Sequence, residues 1–235
     1  MFPYDLGLML FVAPAILLAL IAQGMVKSAY EKMSRMRAGM SGFEAARRIL
    51  DANGLRSIQI EPVPGHLSDH YDPQSKVLRL SEGVYSSYSM AAVGIAAHEA
   101  GHALQDARSY APLIIRNLAV PAANLGSGLG TIMLMFGGAM AFSAAAPLGK
   151  WVLLAGIVTF GATVFFQLIN LPVEFDASSR AKQELVNLGI VSGAEIHYVS
   201  KVLNAAALTY VAATLQAVLT LAYYLFRFLQ ASRDQ

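Results

Sequence analysis

The chain has no cysteine. Disulfides, thiol nucleophiles and thiolate metal sites are therefore excluded, and cysteine usage says nothing about the redox compartment. Charge is also scarce: 14% of residues are Asp, Glu, Lys or Arg, where soluble domains carry about 25%. The net charge of +2 leaves no basic footprint, so no nucleic-acid partner is expected. There is no internal repeat and no low-complexity tract. What fills the 235 residues is apolar, at 56% hydrophobic. A single water-soluble core of this size cannot hide that much apolar surface. The same figure excludes intrinsic disorder.

The missing charge is concentrated. Leu6–Val26, Asn117–Gly149, Trp151–Val173 and Val202–Phe226 contain no Asp, Glu, Lys or Arg. A helix rises about 1.5 Å per residue, so roughly 20 apolar residues cross a hydrocarbon core of about 30 Å. All four runs pass that test. The second is long enough for a span and a turn near Pro147, and its Gly126, Gly128, Gly130, Gly137 and Gly138 would allow close helix approach. The first run follows Met1–Asp5, which lacks a basic n-region, and Lys27 and further basic residues come after it. It reads as an uncleaved anchor.

Alternating spans put residues 27–116 and 180–201 on one side, and these hold 14 of the 17 Lys and Arg. The positive-inside rule makes that side the cytoplasm and leaves both termini outside. The expected organisation is a transmembrane anchor (1–26), a cytoplasmic region with a hairpin and a metal-binding helix (27–116), a transmembrane hairpin (117–171), a cytoplasmic return segment (172–204), and a last transmembrane helix with a short tail (205–235). Mainly α-helical integral membrane protein is the expected fold class, with four transmembrane helices and a small cytoplasmic α+β region. Oligomeric state is not readable.

Within the cytoplasmic region, Ser41-Gly42-Phe43-Glu44 is a capping-box pattern. It opens a helix with Phe43, Ala46, Arg47 and Leu50 on one face, and Asn53-Gly54 stops it. Ile58 and Ile60 alternate as a short strand, and Val77, Leu78 and Leu80 read as a second; together they predict a small hairpin. His66 and His70 fall in its loop and read as turn polarity, with a metal or substrate contact as the alternative. From Ser89 the pattern is helical, and the uncharged Gly83–Ala97 fits a buried helix or one at the membrane face.

That helix contains His98-Glu99-Ala100-Gly101-His102, an H-E-x-x-H motif. Residues four apart share a helix face, so two imidazoles can converge on one Zn²⁺. Glu99 sits beside the first ligand, where it could hold the zinc-bound water and take its proton. A chain of this composition would contain the motif by chance only about 0.004 times. The bland alternative, two histidines on an Ala-rich apolar face, would bury unpartnered imidazoles at a cost of several kcal/mol.

A catalytic zinc usually has three protein ligands. No histidine follows His102 at the extended-motif spacing, and Asp106 is better placed behind the ligands than among them. Glu174, in Leu-Pro-Val-Glu-Phe-Asp-Ala-Ser, is the better candidate. The chain crosses at about 118–140 and returns at about 151–171, which brings Glu174 out on the motif's side. Pro172 suits the first turn of a helix there. Asp176 is the rival ligand, and a capping carboxylate is the structural alternative for both.

H-E-A-G-H, a following transmembrane hairpin and then P-V-E-F-D-A-S together resemble the neutral zinc metallopeptidases of the bacterial inner membrane. The resemblance spans nearly the whole chain, with support from residues 45–54, His70-Tyr71-Asp72-Pro73, residues 78–81 and residues 205–213. A more distant similarity is to the CAAX-prenyl and heat-shock membrane metallopeptidases, whose third-ligand motif is E-x-x-A-D. Glu174 and Ala177 match it, but Ser178 stands where the aspartate would be. The resemblance implies a gluzincin-like zinc endopeptidase acting on membrane proteins or nearby unfolded segments. Protein or peptide substrate and lipid bilayer are then its partners, with the active site facing the cytoplasm from the inner (plasma) membrane. Asp176, His197 and Tyr210 are candidates for supporting the ligands or the oxyanion, although interfacial packing also explains His197 and Tyr210.

Two other functions compete. An intramembrane site-2-type protease usually carries L-D-G in a later span, whereas Leu50-Asp51 is followed by alanine and precedes the zinc helix. A non-catalytic zinc-binding membrane scaffold or chaperone would have no need of Glu99. A transporter is disfavoured because no charge interrupts the four runs.

Overall fold

A computed structural model describes residues 6–143 and 145–233. Residues 1–5 of the expected anchor and 234–235 of the expected tail lie outside the described residues. The elements are α1 (Leu6–Ser34), α2 (Gly42–Ala52), β1 (Gln59–Val63), β2 (His70–Asp72), β3 (Val77–Ser81), α3 (Glu82–Tyr85), α4 (Met90–Ala107) and α5 (Ala111–Leu125). A π-helical turn (Gly126–Gly130), α6 (Thr131–Met140), α7 (Ala146–Asn187) and α8 (Ile196–Arg233) follow. Among the described residues, four helical stretches are long and apolar enough to cross a membrane: Leu6–Ser34, Ala111–Met140, Ala146–Asn187 and Ile196–Arg233. The described residues are thus mostly helical, with four candidate spans and one three-stranded sheet among them.

The chain divides into two compact units. The first comprises Met1–Leu20, Ile115–Leu171 and Thr209–Gln235. Its helices approach closely where side chains are missing. A Cβ on Gly126 would sit 2.6 Å from the Thr159 carbonyl, and one on Gly137 would collide with the Leu153 backbone. Thr163 donates to the Ala123 carbonyl at 3.1 Å, tying α7 to α5. Small residues allow such approach in an apolar medium, where packing drives helix association. Gly128 departs from the expectation, since its Cβ position faces open space.

The second unit, Ile21–Ile114 with Pro172–Leu208, holds a continuous apolar core. Helix α2 begins at the expected capping box: Ser41 Oγ accepts from the Glu44 amide at 3.2 Å, and the Ser41 amide donates to Glu44 Oε2 at 2.7 Å. Such a cap contributes about 1 kcal/mol. The buried face is Ala45, Ala46, Ile49 and Leu50, while Phe43 and Arg47 are only partly buried. Arg47 instead runs along the rim, donating to Asp51 and to the Ile58 and Leu55 carbonyls.

The sheet corrects the expected hairpin. β1 and β3 are parallel partners, and the antiparallel pair is β2–β3, in the order β1-β3-β2. A parallel pair needs a crossover, and residues 64–76 supply it with β2 inside. β2 escaped notice because it is three polar or half-buried residues with no apolar alternation. β3 lies in the middle, with Val77, Leu78 and Leu80 buried.

Helix α4 is capped by Ser89 and sunk into this core, with Ala96, Ala97, Ala100 and Ala103 fully buried. The uncharged stretch before the motif is divided at Ser86–Ser89, and its helical part from Met90 is buried. A Cβ on Gly101 would lie 2.5 Å from the Ala177 carbonyl, so α4 and α7 touch backbone to backbone at that point. α7 also corrects an expectation. Pro172 does not begin a helix but lies inside one that runs unbroken from Ala146 to Asn187. An interior proline gives up one helix hydrogen bond and costs about 3 kcal/mol.

Candidate metal centre

The Gly101–Ala177 contact sets the geometry of the site. His98 and His102 lie on consecutive turns of α4, one residue before and one after the levels at which Glu99 and Gly101 are buried. Glu174 lies one turn before Ala177 on α7. His98 Nε2 is 3.2 Å from Glu174 Oε2, and His102 Nε2 is 3.7 Å from the same oxygen. The two rings stand nearly perpendicular, with centroids 4.8 Å apart. One donor atom from each of the three residues falls within 4.8 Å of the others, so the group could hold a metal ion. Tetrahedral zinc with ligand bonds near 2.0–2.1 Å needs donors roughly 3.3 Å apart.

The environment of the rings supports that fit. A metal on Nε2 requires the ring proton on Nδ1, and that proton needs an acceptor. His102 Nδ1 lies 3.0 Å from Gln105 Oε1. Gln105 is fully buried, and its Nε2 donates at 2.8 Å to both the Val173 carbonyl and Asp176 Oδ2. Those two acceptors fix which end of the amide is oxygen, so His102 Nδ1 must donate to it, and Nε2 is the ring nitrogen turned toward Glu174. His98 Nδ1 lies 3.1 Å from Ser178 Oγ. The serine that replaces the aspartate of the related motif thus supplies an oxygen at the ring nitrogen.

Asp176 is not in the group of three and is engaged elsewhere. Arg180 donates to it at 2.6 Å, and the Arg180 guanidinium rests 5.6 Å over the Tyr110 ring. Asp106 accepts from Tyr71 at 2.7 Å and pairs with Lys76, joining α4 to β2. His197 is exposed at the start of α8, bonded to the Ala194 carbonyl and with its ring tilted against that of Tyr198. Tyr210 belongs to the other unit, where its carbonyl accepts from Thr214. His66 packs its ring against Tyr30, and His70 opens β2 with Nδ1 2.9 Å from the Ser68 carbonyl.

Glu99 is buried. Burial pushes its carboxyl up to about 7; Glu174 and Asp69 add to the rise, while His98 and His70 oppose it. A carboxylate poised near neutrality can both take and return a proton.

Sequence reasoning missed Gln105. Its only signal was an amide one turn beyond His102 on an otherwise apolar face. Gln105→Ala is expected to weaken zinc binding by about 10- to 100-fold, as losses of such supporting groups do. Competition with a chromogenic chelator measures this. Unchanged affinity would show that Gln105 has no part in orienting His102.

A family model described as "Putative neutral zinc metallopeptidase" matches residues 8–229. A relative from Bacillus subtilis (strain 168), "Putative membrane protease YugP", is 49% identical over 216 residues, covering 91% of this chain and 92% of the relative. No solved structure matches.

Proposed function

The chain belongs to the neutral zinc metallopeptidase family, and from that premise we propose that it is a membrane-embedded zinc endopeptidase of gluzincin type. It hydrolyses peptide bonds of membrane-associated or unfolded proteins at the cytoplasmic face of the bacterial inner membrane. The observation that carries this reading is the convergence of His98 Nε2, His102 Nε2 and the Glu174 carboxylate beside a buried Glu99.

His98, His102 and Glu174 would hold the metal. When bound, zinc supplies Lewis acidity, acidifying a water and polarising a carbonyl. Glu99 accepts the proton of the attacking water as the C–O bond forms, and then delivers it to the amide nitrogen, so that the C–N bond breaks with a neutral amine leaving. Gln105 and Ser178 hold the two imidazoles in the ligating tautomer, and Asp176 with Arg180 holds Gln105. His197 remains a candidate for the oxyanion donor.

The segments 27–116 and 172–204 form the cytoplasmic part in this reading, and 1–26, 117–171 and 205–235 the membrane part. Helix α4 is not among the four candidate spans, which favours hydrolysis outside the hydrocarbon over the intramembrane alternative.

Two measurements test the proposal. Casein cleavage by the detergent-purified protein is expected to fall to background on chelation with 1,10-phenanthroline and to return with added zinc. Cleavage that survives metal removal would exclude zinc catalysis. The natural absence of cysteine makes orientation simple to read. A cysteine placed at Lys32 should react with a membrane-impermeant maleimide only in inverted vesicles; reaction only in intact cells would reverse the orientation.

A further inference from the structure

A second feature, away from the metal ligands, is a groove of about 650 Å³ between α1 and α8. Its walls include Ile21, Met25, Ser28 and Lys32 from α1, and Lys201 and Asn204 from α8. All lie in the second unit. The two ends differ in chemistry. Ile21 and Met25 belong to the charge-free run of α1 and are 50% and 48% exposed. Lys32 lies beyond that run, and Lys201 immediately precedes the charge-free run of α8. The groove therefore straddles the point where both helices change from charged to apolar.

Both lysines are exposed, and among the described residues neither makes an ion pair. Lys201 Nζ has only a distant aromatic neighbour, 6.0 Å from the centroid of the Tyr198 ring. No carboxylate lines the groove among the described residues. Two cations with hydroxyl and amide groups beside them suit a phosphodiester. The apolar end, on a candidate span, suits an acyl chain. An acidic peptide would meet the cations equally well but would leave Ile21 and Met25 uncovered by hydrocarbon.

We propose that the α1–α8 groove binds an anionic phospholipid, its phosphate between Lys32 and Lys201 and its acyl chain along Ile21 and Met25. The site rests on α1 and α8 being membrane spans and is independent of the peptidase reading. Basic pockets at the ends of spans select anionic headgroups in this way.

Native mass spectrometry of the full chain in detergent tests this, with dioleoyl phosphatidylglycerol and dioleoyl phosphatidylcholine as probes. The parent is expected to retain phosphatidylglycerol over phosphatidylcholine by on the order of tenfold. The double variant Lys32→Gln/Lys201→Gln should lose that preference, and Lys32→Arg/Lys201→Arg should keep it. Because both positions are exposed, neither change threatens the fold. No preference in the parent, or full preference in the Gln variant, would overturn the proposal. Displacement of the lipid by excess inorganic phosphate would reassign the site to a free anion. A raised KM for casein with lipid retention intact would reassign it to a peptide.

Discussion

Glu99→Gln is expected to lower casein cleavage by about 10²- to 10⁴-fold while bound zinc per chain stays at the parent level. The magnitude is that of removing a positioned general base. Glutamine keeps the size and most of the hydrogen-bonding capacity of the side chain but cannot accept and return a proton. Unfolding is a poor explanation for such a loss, because burial already favours the uncharged form of this carboxyl and raises it to about 7. The neutral amide therefore introduces no new desolvation cost. His98, His102 and Glu174 are untouched, so zinc content separates a chemical defect from a binding defect. Proteolysis equal to that of the parent would remove Glu99 from the mechanism. The proton would then have to pass to a base other than Glu99.

The sequence carried some parts of this structure openly and hid others, for identifiable reasons. The four candidate spans were legible because hydrocarbon tolerates almost no charge, and the gaps in charge are long. The ends of those helices were not. α7 continues fourteen residues past its charge-free run, to Asn187, because its polar half packs against α4. Pro172 pointed to a helix start, and tertiary packing overrode it. The strand β2 was hidden because it is short and polar; its pairing with β3 made the true hairpin. At the candidate site, H-E-x-x-H was legible because its spacing is local. Gln105 was not, because its role depends on Val173 and Asp176, 68 and 71 residues away in the chain. Ser178 looked like a departure from the related motif. Beside His98 Nδ1 it is an oxygen where one is needed.

The choice of third ligand has the other large expected effect. Glu174→Ala should weaken zinc binding by more than about 100-fold, and Asp176→Ala by about tenfold. The two carboxylates are two residues apart on one helix, so they project in different directions. Glu174 is buried, with one oxygen facing both imidazole Nε2 atoms. Removing it leaves two neutral donors and no anionic one, which is a poor set for a divalent ion. Asp176 is already engaged by Arg180 and Gln105. Its loss frees Arg180 and removes one of the two acceptors that orient the Gln105 amide, while the Val173 carbonyl still holds the other hydrogen bond. The ligand tautomer at His102 is then loosened but not lost. Zinc content after dialysis against a weak chelator, compared across the two variants, reads the difference directly. Retention by Glu174→Ala with loss by Asp176→Ala would move the third ligand to Asp176. It would also require Arg180 to give up its ion pair when metal binds.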